Sequence, residues 1–319
     1  MEFRILRRKE LDRDAWNELA ANGTFFQTCE WTDICSDGIG FHASSIFLTG
    51  YEGGELVAGM PAVISRRFGF RMFYSMPYGT YGELILKNGT DEQQRDTFNA
   101  NLIKYLKENR FSRISITDFE GRLSEVGEPF LTWSPSFTHI INLESESNYI
   151  PPDERILEQV RNGLKSGTAR VSIRTTEDLD SFYNLYLMTE KRHGQRKPLY
   201  SKRFFETILK LLRDSNKLYW NALMKDQRMV GSCINFIHGD TLFNWQNVSD
   251  YSKRYLRPNH VLIADAIEYA IRRGINKINL GASPPYAHSL IDFKKRWGGK
   301  EVSYDSYLSS SWLLRLLRR

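Results

Sequence analysis

One order of elements occurs twice in this chain, and that duplication limits the fold more than anything else in the sequence. In IFLTGYEGGELVAGMPAVISRRFGFRMFYSM, apolar segments alternate with Gly-rich turns. LYWNALMKDQRMVGSCINFIHGDTLFNWQNV repeats the order, with turns expected at Lys225-Asp226-Gln227 and at His238-Gly239-Asp240. Short β-prone runs split by such turns read as antiparallel meanders. Aligning ELVAGMPAVI with RMVGSCINFI sets Val57 against Val230. A repeat of this size is one domain said twice.

Each meander is followed by a helix that hands over to a strand: NLIKYLKENRFSRISI in the first half, AIEYAIRRGINKINL in the second. In the latter, Ile263, Ala266, Ile267 and Ala270 share one helical face, and Gly274 stands where a left-handed C-cap is expected. Each half also opens with an amphipathic helix, LDRDAWNELAAN and LDSFYNLYLMTEKR. The Leu179, Phe182, Tyr183, Tyr186 and Leu187 stripe of the second reads as core. The expected fold is α/β of the α+β kind. It has two tandem domains, each a mixed, mostly antiparallel sheet with flanking helices that gains a parallel strand through a helix. Pro151 and Pro152 break the chain, which sets the boundary near residue 150: an N-terminal domain over 1–150, then a basic linker helix and a C-terminal domain over 151–319.

With 319 residues, 41% hydrophobic and 26% charged, the chain can bury a sizeable core and is not a disordered polymer. A net charge of +6 favours an anionic partner without choosing among nucleic acid, phosphorylated compound and membrane surface. Cys29, Cys35 and Cys233 lack metal-ligand spacing, and the six His are scattered, so no metal is expected. No apolar run has membrane-spanning length, and MEFRILRRKELDRDAW lacks the apolar core of a secretion signal. These features predict a cytoplasmic protein. The C-terminal SWLLRLLRR could reach the inner membrane face peripherally but is too short to anchor there alone.

Four pieces, in order from Phe25 to Gly299, resemble the FemAB-type transferases, which use aminoacyl-tRNA to add amino acids to peptidoglycan precursors. FFQTCEW is similar to the family's Phe-Gln-Ser/Thr-x-x-Trp segment. The stretch from VRNGLKSG to MTEKR resembles its basic helix, entering strand and helix ending in Thr-x-x-Arg, here Thr189 and Arg192. YLRPNHVLIADAIEYAIRRGINKINLGAS resembles the segment in which Pro-Asn, here Pro258 and Asn259, precedes a helix. IDFKKRWGG resembles the hallmark Phe-Lys-x-x-Phe/Trp-Gly. The order of elements is that of the Gcn5-related N-acetyltransferase (GNAT) fold, used here as a tandem pair. A Lys or Arg soon after the N-terminal Trp, which the peptidoglycan enzymes use on substrate phosphate, has no counterpart in WTDICSDGIGF.

The resemblance implies an enzyme, a FemAB-like aminoacyl or acyl transferase of the cell envelope, within the family named for methicillin resistance and peptidyltransferase activity. The donor domain is the second and the acceptor domain the first. Lys294, with Phe293 beside it, is the implied catalytic pair, and the Phe293-to-Gly299 cluster is expected to be a rigid loop aiming one cation inward. Attack of an amine on an ester builds negative charge on the carbonyl oxygen, which a fixed cation would stabilise. Candidate substrate-binding residues are Arg192, Tyr78, Arg71, Asn259, Lys295, Arg296 and Trp245. Arg66, Arg67 and Arg71 could hold a phosphorylated or lipid-linked acceptor.

No tightly bound cofactor is expected. An aminoacyl-tRNA donor suits the cations running from Arg161 to Arg257, which would bind backbone phosphates. An acyl-CoA donor is the alternative. It is disfavoured because the Gly-rich pyrophosphate cradle has no counterpart in YSKRYLRPNH, where Pro258 also lacks an N–H. A catalytically degenerate RNA- or membrane-binding module is the third reading. No general base stands out, and Asp265 and Glu268 are expected on the outer face of their helix.

Overall fold

The computed structural model describes residues 1–39, 42–123, 131–143 and 149–312. These fall into two compact units, Met1–Ser136 joined by the chain from Ser303 onward, and Phe137–Val302.

The first unit contains β1 (Glu2–Arg7), α1 (Arg13–Ala20), α2 (Cys29–Ile39), β2 (Ala43–Glu52), β3 (Glu55–Arg67), β4 (Phe70–Tyr74), β5 (Ile85–Leu86), α3 (Glu92–Glu108), β6 (Arg113–Asp118) and the start of β7 (Thr132–Asn142). Its strands run in the order β1-β2-β3-β4-β6, with β5 on β3 and the last strand, β13 (Lys300–Ser310), against β6. The meander is antiparallel, and Met72–Tyr74 of β4 pairs in parallel with Arg113–Ser115 of β6, which returns through α3. Helix α3 starts in a capping box. The Asp91 carboxylate accepts from the Gln94 N–H at 2.7 Å, and the Gln94 side chain accepts from the Asp91 N–H at 3.0 Å. Its Phe98, Leu102 and Leu106, one face at i, i+4 and i+8, are buried against Ile46, Ala62, Ile64 and Phe73 of the sheet.

The second unit takes up β7 at Phe137 and continues with α4 (Glu154–Lys165), β8 (Ala169–Ser172), α5 (Thr176–Arg192), α6 (Lys202–Leu212), β9 (Leu218–Lys225), β10 (Arg228–His238), β11 (Thr241–Ser249), α7 (Pro258–Arg272), β12 (Lys277–Ala282) and α8 (His288–Arg296). Strand order is β7-β12-β11-β10-β9-β8. Again the meander is antiparallel, and the strand reached through a helix, β12, pairs in parallel with β11. The duplication extends to the turns: Gly53 and Gly54 have φ of 57° and 88°, and Asp226 and Gln227 have 49° and 60°. Paired positive φ values are what a two-residue hairpin requires. Helix α7 closes at Gly274, φ 66°, with the Ile275 N–H donating to the Ala270 carbonyl at 2.9 Å. Phe182 and Tyr186 of α5 are core residues as expected, whereas Leu187 is 38% exposed.

Three features differ from the sequence expectation. The units divide at Ser136 and Val302 rather than near residue 150, each division falling inside a strand. The segment ending in FKKR is the helix α8, not a loop. Asp265 is buried: it accepts from the Tyr219 hydroxyl at 2.6 Å and the Asn221 amide at 2.7 Å, and pairs with Arg170 at 3.1 Å. Among the described residues no helix is long and apolar enough to cross a membrane. The proposed membrane-facing tail, from Leu313 on, lies outside the described residues.

Helix α4 crosses α7 at Gly163, where an added Cβ would meet Val261 Cγ2 at 2.5 Å and the Leu256 carbonyl at 2.7 Å. Gly163→Ala is therefore expected to destabilise the protein by roughly 1–3 kcal/mol through overpacking, although alanine favours helix. Denaturant unfolding of the pair measures it.

Candidate functional site

Parallel pairing of β11 with β12 covers only Thr241–Phe243 against Lys277–Asn279. Beyond it the two strands part; β12 stays paired with β7, but its register shifts between Asn279 and Ala282 around Gly281, φ 77°. The polar groups exposed by that parting are gathered by Lys294. From the last turn of α8 its Nζ donates to the Gly281 carbonyl at 2.7 Å, the Ala282 carbonyl at 3.0 Å and the Ser283 hydroxyl at 2.9 Å. An ammonium has three donors, so the group is saturated. It is 6% exposed, and burial pushes its pKa down to about 8. His139 of β7 is wholly buried, and its pKa is lowered by burial and then by the Lys294 charge.

A basin of about 390 Å³ opens on the other side of α8, lined by Arg192, Ser249, Tyr251, Arg254, Arg257, Pro258, Asn259, His260 and Phe293. Its shape follows from how the chain enters α7. Strand β11 ends at Ser249, and the Asp250 carboxylate caps a short helical turn by accepting from the Ser252 N–H at 2.9 Å. Arg257 then adopts φ 54°, ψ 42°, a left-handed conformation that costs a non-glycine residue about 1 kcal/mol or more. This reversal sets Pro258 at the first position of α7, where its missing N–H is least harmful. Arg192, the last residue of α5, stacks its guanidinium on Tyr251 at 5.3 Å, and Arg254 stacks on the same ring at 4.8 Å.

No ion pair engages Arg192, Arg254 or Arg257 among the described residues, and no carboxylate lines the basin. Three guanidiniums thus gather at the positive end of a 15-residue helix, an arrangement that an anion would stabilise. His260 packs edge-on to Phe293 at 5.1 Å, and burial together with Arg257 and Arg296 lowers its pKa to about 4. It is neutral near pH 7 and adds no charge.

The basin thus unites Arg192, Asn259 and Phe293 from the sequence-derived candidates. Lys294 is next to it in sequence but lines none of the described cavities. Its neighbours on α8 turn outward, Lys295 toward Glu301 at 3.9 Å and Arg296 toward Asp153 at 3.8 Å. Trp245 packs among Tyr200, Phe204, Phe205 and Phe236. Tyr78 and Arg71 belong to the first unit. Tyr78 sits at φ 66° in the turn Pro77–Gly79, and Arg71 donates to the Asn109 side chain at 3.1 Å and stacks on Phe111 at 4.6 Å. Tyr251 and His260 were not singled out in the sequence, and Arg257 was read only as one of a run of cations, not as a left-handed residue. The clustering of Tyr, Arg and Pro in DYSKRYLRPNH is the one available signal. Among the described residues no group of His, Cys, Asp or Glu could hold a metal ion.

Residues 154–295 match the acetyltransferase (GNAT) domain family model. Fold and match together define the class by architecture: a protein of the GNAT fold with two tandem units, the second carrying the matched domain. Solved structures that share the fold include FemX, with 15% identity, TM-score 0.68 and coverage of 96% of this chain and 97% of that one. The C-terminal domain of a protein assigned as a lysylphosphatidylglycerol synthetase from Agrobacterium fabrum has 10% identity, TM-score 0.61 and coverage of 96% and 94%. A tandem GNAT protein from the clavulanic acid biosynthesis pathway has 11% identity, TM-score 0.57 and coverage of 97% and 98%. No curated protein matches the sequence.

Replacing Lys294 by Met would strand three buried acceptors and is expected to cost roughly 2–4 kcal/mol. The pH dependence has a definite sign. With a folded pKa of about 8, below the ordinary lysine value near ~10.4, the folded protein binds fewer protons than the unfolded chain between those limits. The stability of the native protein relative to Lys294→Met should therefore rise with pH across that window, as followed by denaturation at successive pH values.

Proposed function

We propose that this protein is a FemAB-like transferase that forms an amide by moving an aminoacyl group from tRNA to an amine of a cell-envelope-type peptide or sugar-linked precursor. The observation that supports the donor assignment is the basin at the start of α7: three arginines with no ion pair among the described residues, two of them stacked on Tyr251. Guanidiniums match phosphate in charge and geometry, and the 58% exposed Tyr251 holds two of them at the basin's mouth. The acyl-CoA reading draws on the GNAT domain match. Against it stands the way α7 begins, on Pro258 and a left-handed Arg257, without the run of glycine N–H groups that wraps a pyrophosphate.

In the reaction the uncharged acceptor amine attacks the ester carbonyl carbon. The C–N bond forms as the C=O electrons move onto oxygen. The tetrahedral anion collapses, breaking the C–O bond to the ribose, and the proton lost by nitrogen passes to the departing ribose oxygen. The chain's own contribution is positional and electrostatic. The basin fixes the donor's phosphate, Phe293 forms its wall, and Lys294 holds the end of β12 rigid while adding a positive charge in a water-poor interior. In this reading Lys294 acts through the carbonyls it binds as well as through its charge.

Arg254→Gln and Arg192→Gln are expected to weaken binding of charged tRNA uniformly across sequences, each lowering the slope of log affinity against log salt by about 1. Binding measured across a salt series tests this. Saturable thermal stabilisation by CoA, with no tRNA binding, would favour the other donor.

A further inference from the structure

The first unit carries a second basic cavity, of about 550 Å³, whose lining includes Arg7, Glu10, His42, Arg66, Arg71 and Tyr105. Strand register explains why these residues meet. Arg7 is the cross-strand partner of Ile46, and Ile46 of Ala62; Ser44 is opposite Ile64, Ile64 opposite Phe73, and Arg66 opposite Arg71. Cross-strand partners share a face, and so do residues two apart, so all these side chains lie on the sheet face that α3 covers. Over Ile46, Ala62, Ile64 and Phe73 that face is core, packed by Phe98, Leu102 and Leu106. Helix α3 then ends, with Asn109 as its C-cap, while the sheet runs on. Where the helical cover stops, the same face turns from aliphatic to cationic, with Tyr105 as its wall.

The charges there are not neutralised. No ion pair engages Arg7, Arg66 or Arg71 among the described residues, and the one carboxylate in the lining, Glu10, accepts from the backbone N–H of Arg7 at 2.8 Å. Arg71 is half-buried and held by Asn109 and Phe111, yet its Nε is sealed from water with no partner. Three guanidiniums against one carboxylate leave two positive charges in a cavity of small-molecule size. A phosphate dianion balances that excess, whereas a single carboxylate would not, and forked guanidiniums pair with phosphate oxygens bidentately.

We propose that this cavity binds a phosphorylated small molecule through a terminal phosphate or diphosphate held by Arg7, Arg66 and Arg71. The site stands on the first unit alone and is independent of the donor reading. The carrier of the phosphate is either a free metabolite or the headgroup of an anionic lipid.

The test is calorimetric titration of the full chain with inorganic pyrophosphate at fixed ionic strength, in an Arg192→Gln/Arg254→Gln background that takes two of its three arginines from the basin of the second unit. A parallel arm measures co-sedimentation with phosphatidylcholine vesicles with and without phosphatidate. The expected result is binding in this background that weakens at least about tenfold when Arg7→Gln and Arg66→Gln are added. Binding of pyrophosphate identifies a soluble phosphorylated ligand; binding of the phosphatidate vesicles alone identifies a headgroup; either supports the site. Arg66 is exposed, so Arg66→Lys alone should leave the melting temperature unchanged while weakening binding through loss of the fork. Absence of binding in both arms, or binding indifferent to Arg7 and Arg66, overturns the proposal.

Discussion

The second unit depends on one buried cation. A parallel strand pair that parts after a few residues leaves main-chain carbonyls with nothing to accept, in a place that water reaches poorly. Such groups are expensive to bury unpaired. Lys294 answers this from another element, donating to two successive carbonyls and a serine hydroxyl. A methionine or leucine would fill the space but strand the acceptors. Desolvation opposes the charge, which is why the pKa falls, yet at about 8 the group remains an ammonium near pH 7. The residue that the FemAB resemblance marks as catalytic is therefore also a determinant of the local fold.

From that fixed point the basin follows by geometry. Phe293 precedes Lys294 on α8, so burying one side chain under the end of β12 turns the other toward the start of α7, where it meets His260. The strained Arg257 and the Pro258 after it set where the helix begins and leave cations, not carboxylates, around its positive end. A helix terminus surrounded by like charge is unfavourable by itself and becomes favourable once an anion arrives. That is the physical reason to read the basin as a binding site rather than as solvated surface.

Much of this was legible in the sequence because it rests on local pattern. The doubled meander, the parallel strand reached through a helix, the Gly274 cap and the burial of Phe182 and Tyr186 all follow from periodicity and turn chemistry. Other features rest on relations that a linear reading does not contain. The FKKR run reads as a loop because three consecutive charges look solvated. On a helix each takes a different side, so Lys294 is buried while Lys295 and Arg296 are exposed. Asp265 looks like an outer-face carboxylate until the partners from β8 and β9, Arg170, Tyr219 and Asn221, are brought to it. The prolines at 151 and 152 mark a break in the chain, but the units change inside the single strand β7, just after Pro135. Pro258 was read as a lost N–H and as the Pro-Asn before a helix; that it follows a left-handed arginine could not be seen.

The central claim is that the start of α7 receives the donor's phosphate. A crystal structure of the protein with a short RNA acceptor end carrying a non-hydrolysable 3′-aminoacyl amide tests it most directly. The account predicts a phosphate within hydrogen-bonding distance of Arg254 and Arg257. An RNA end bound elsewhere, with the basin filled only by solvent, would contradict it.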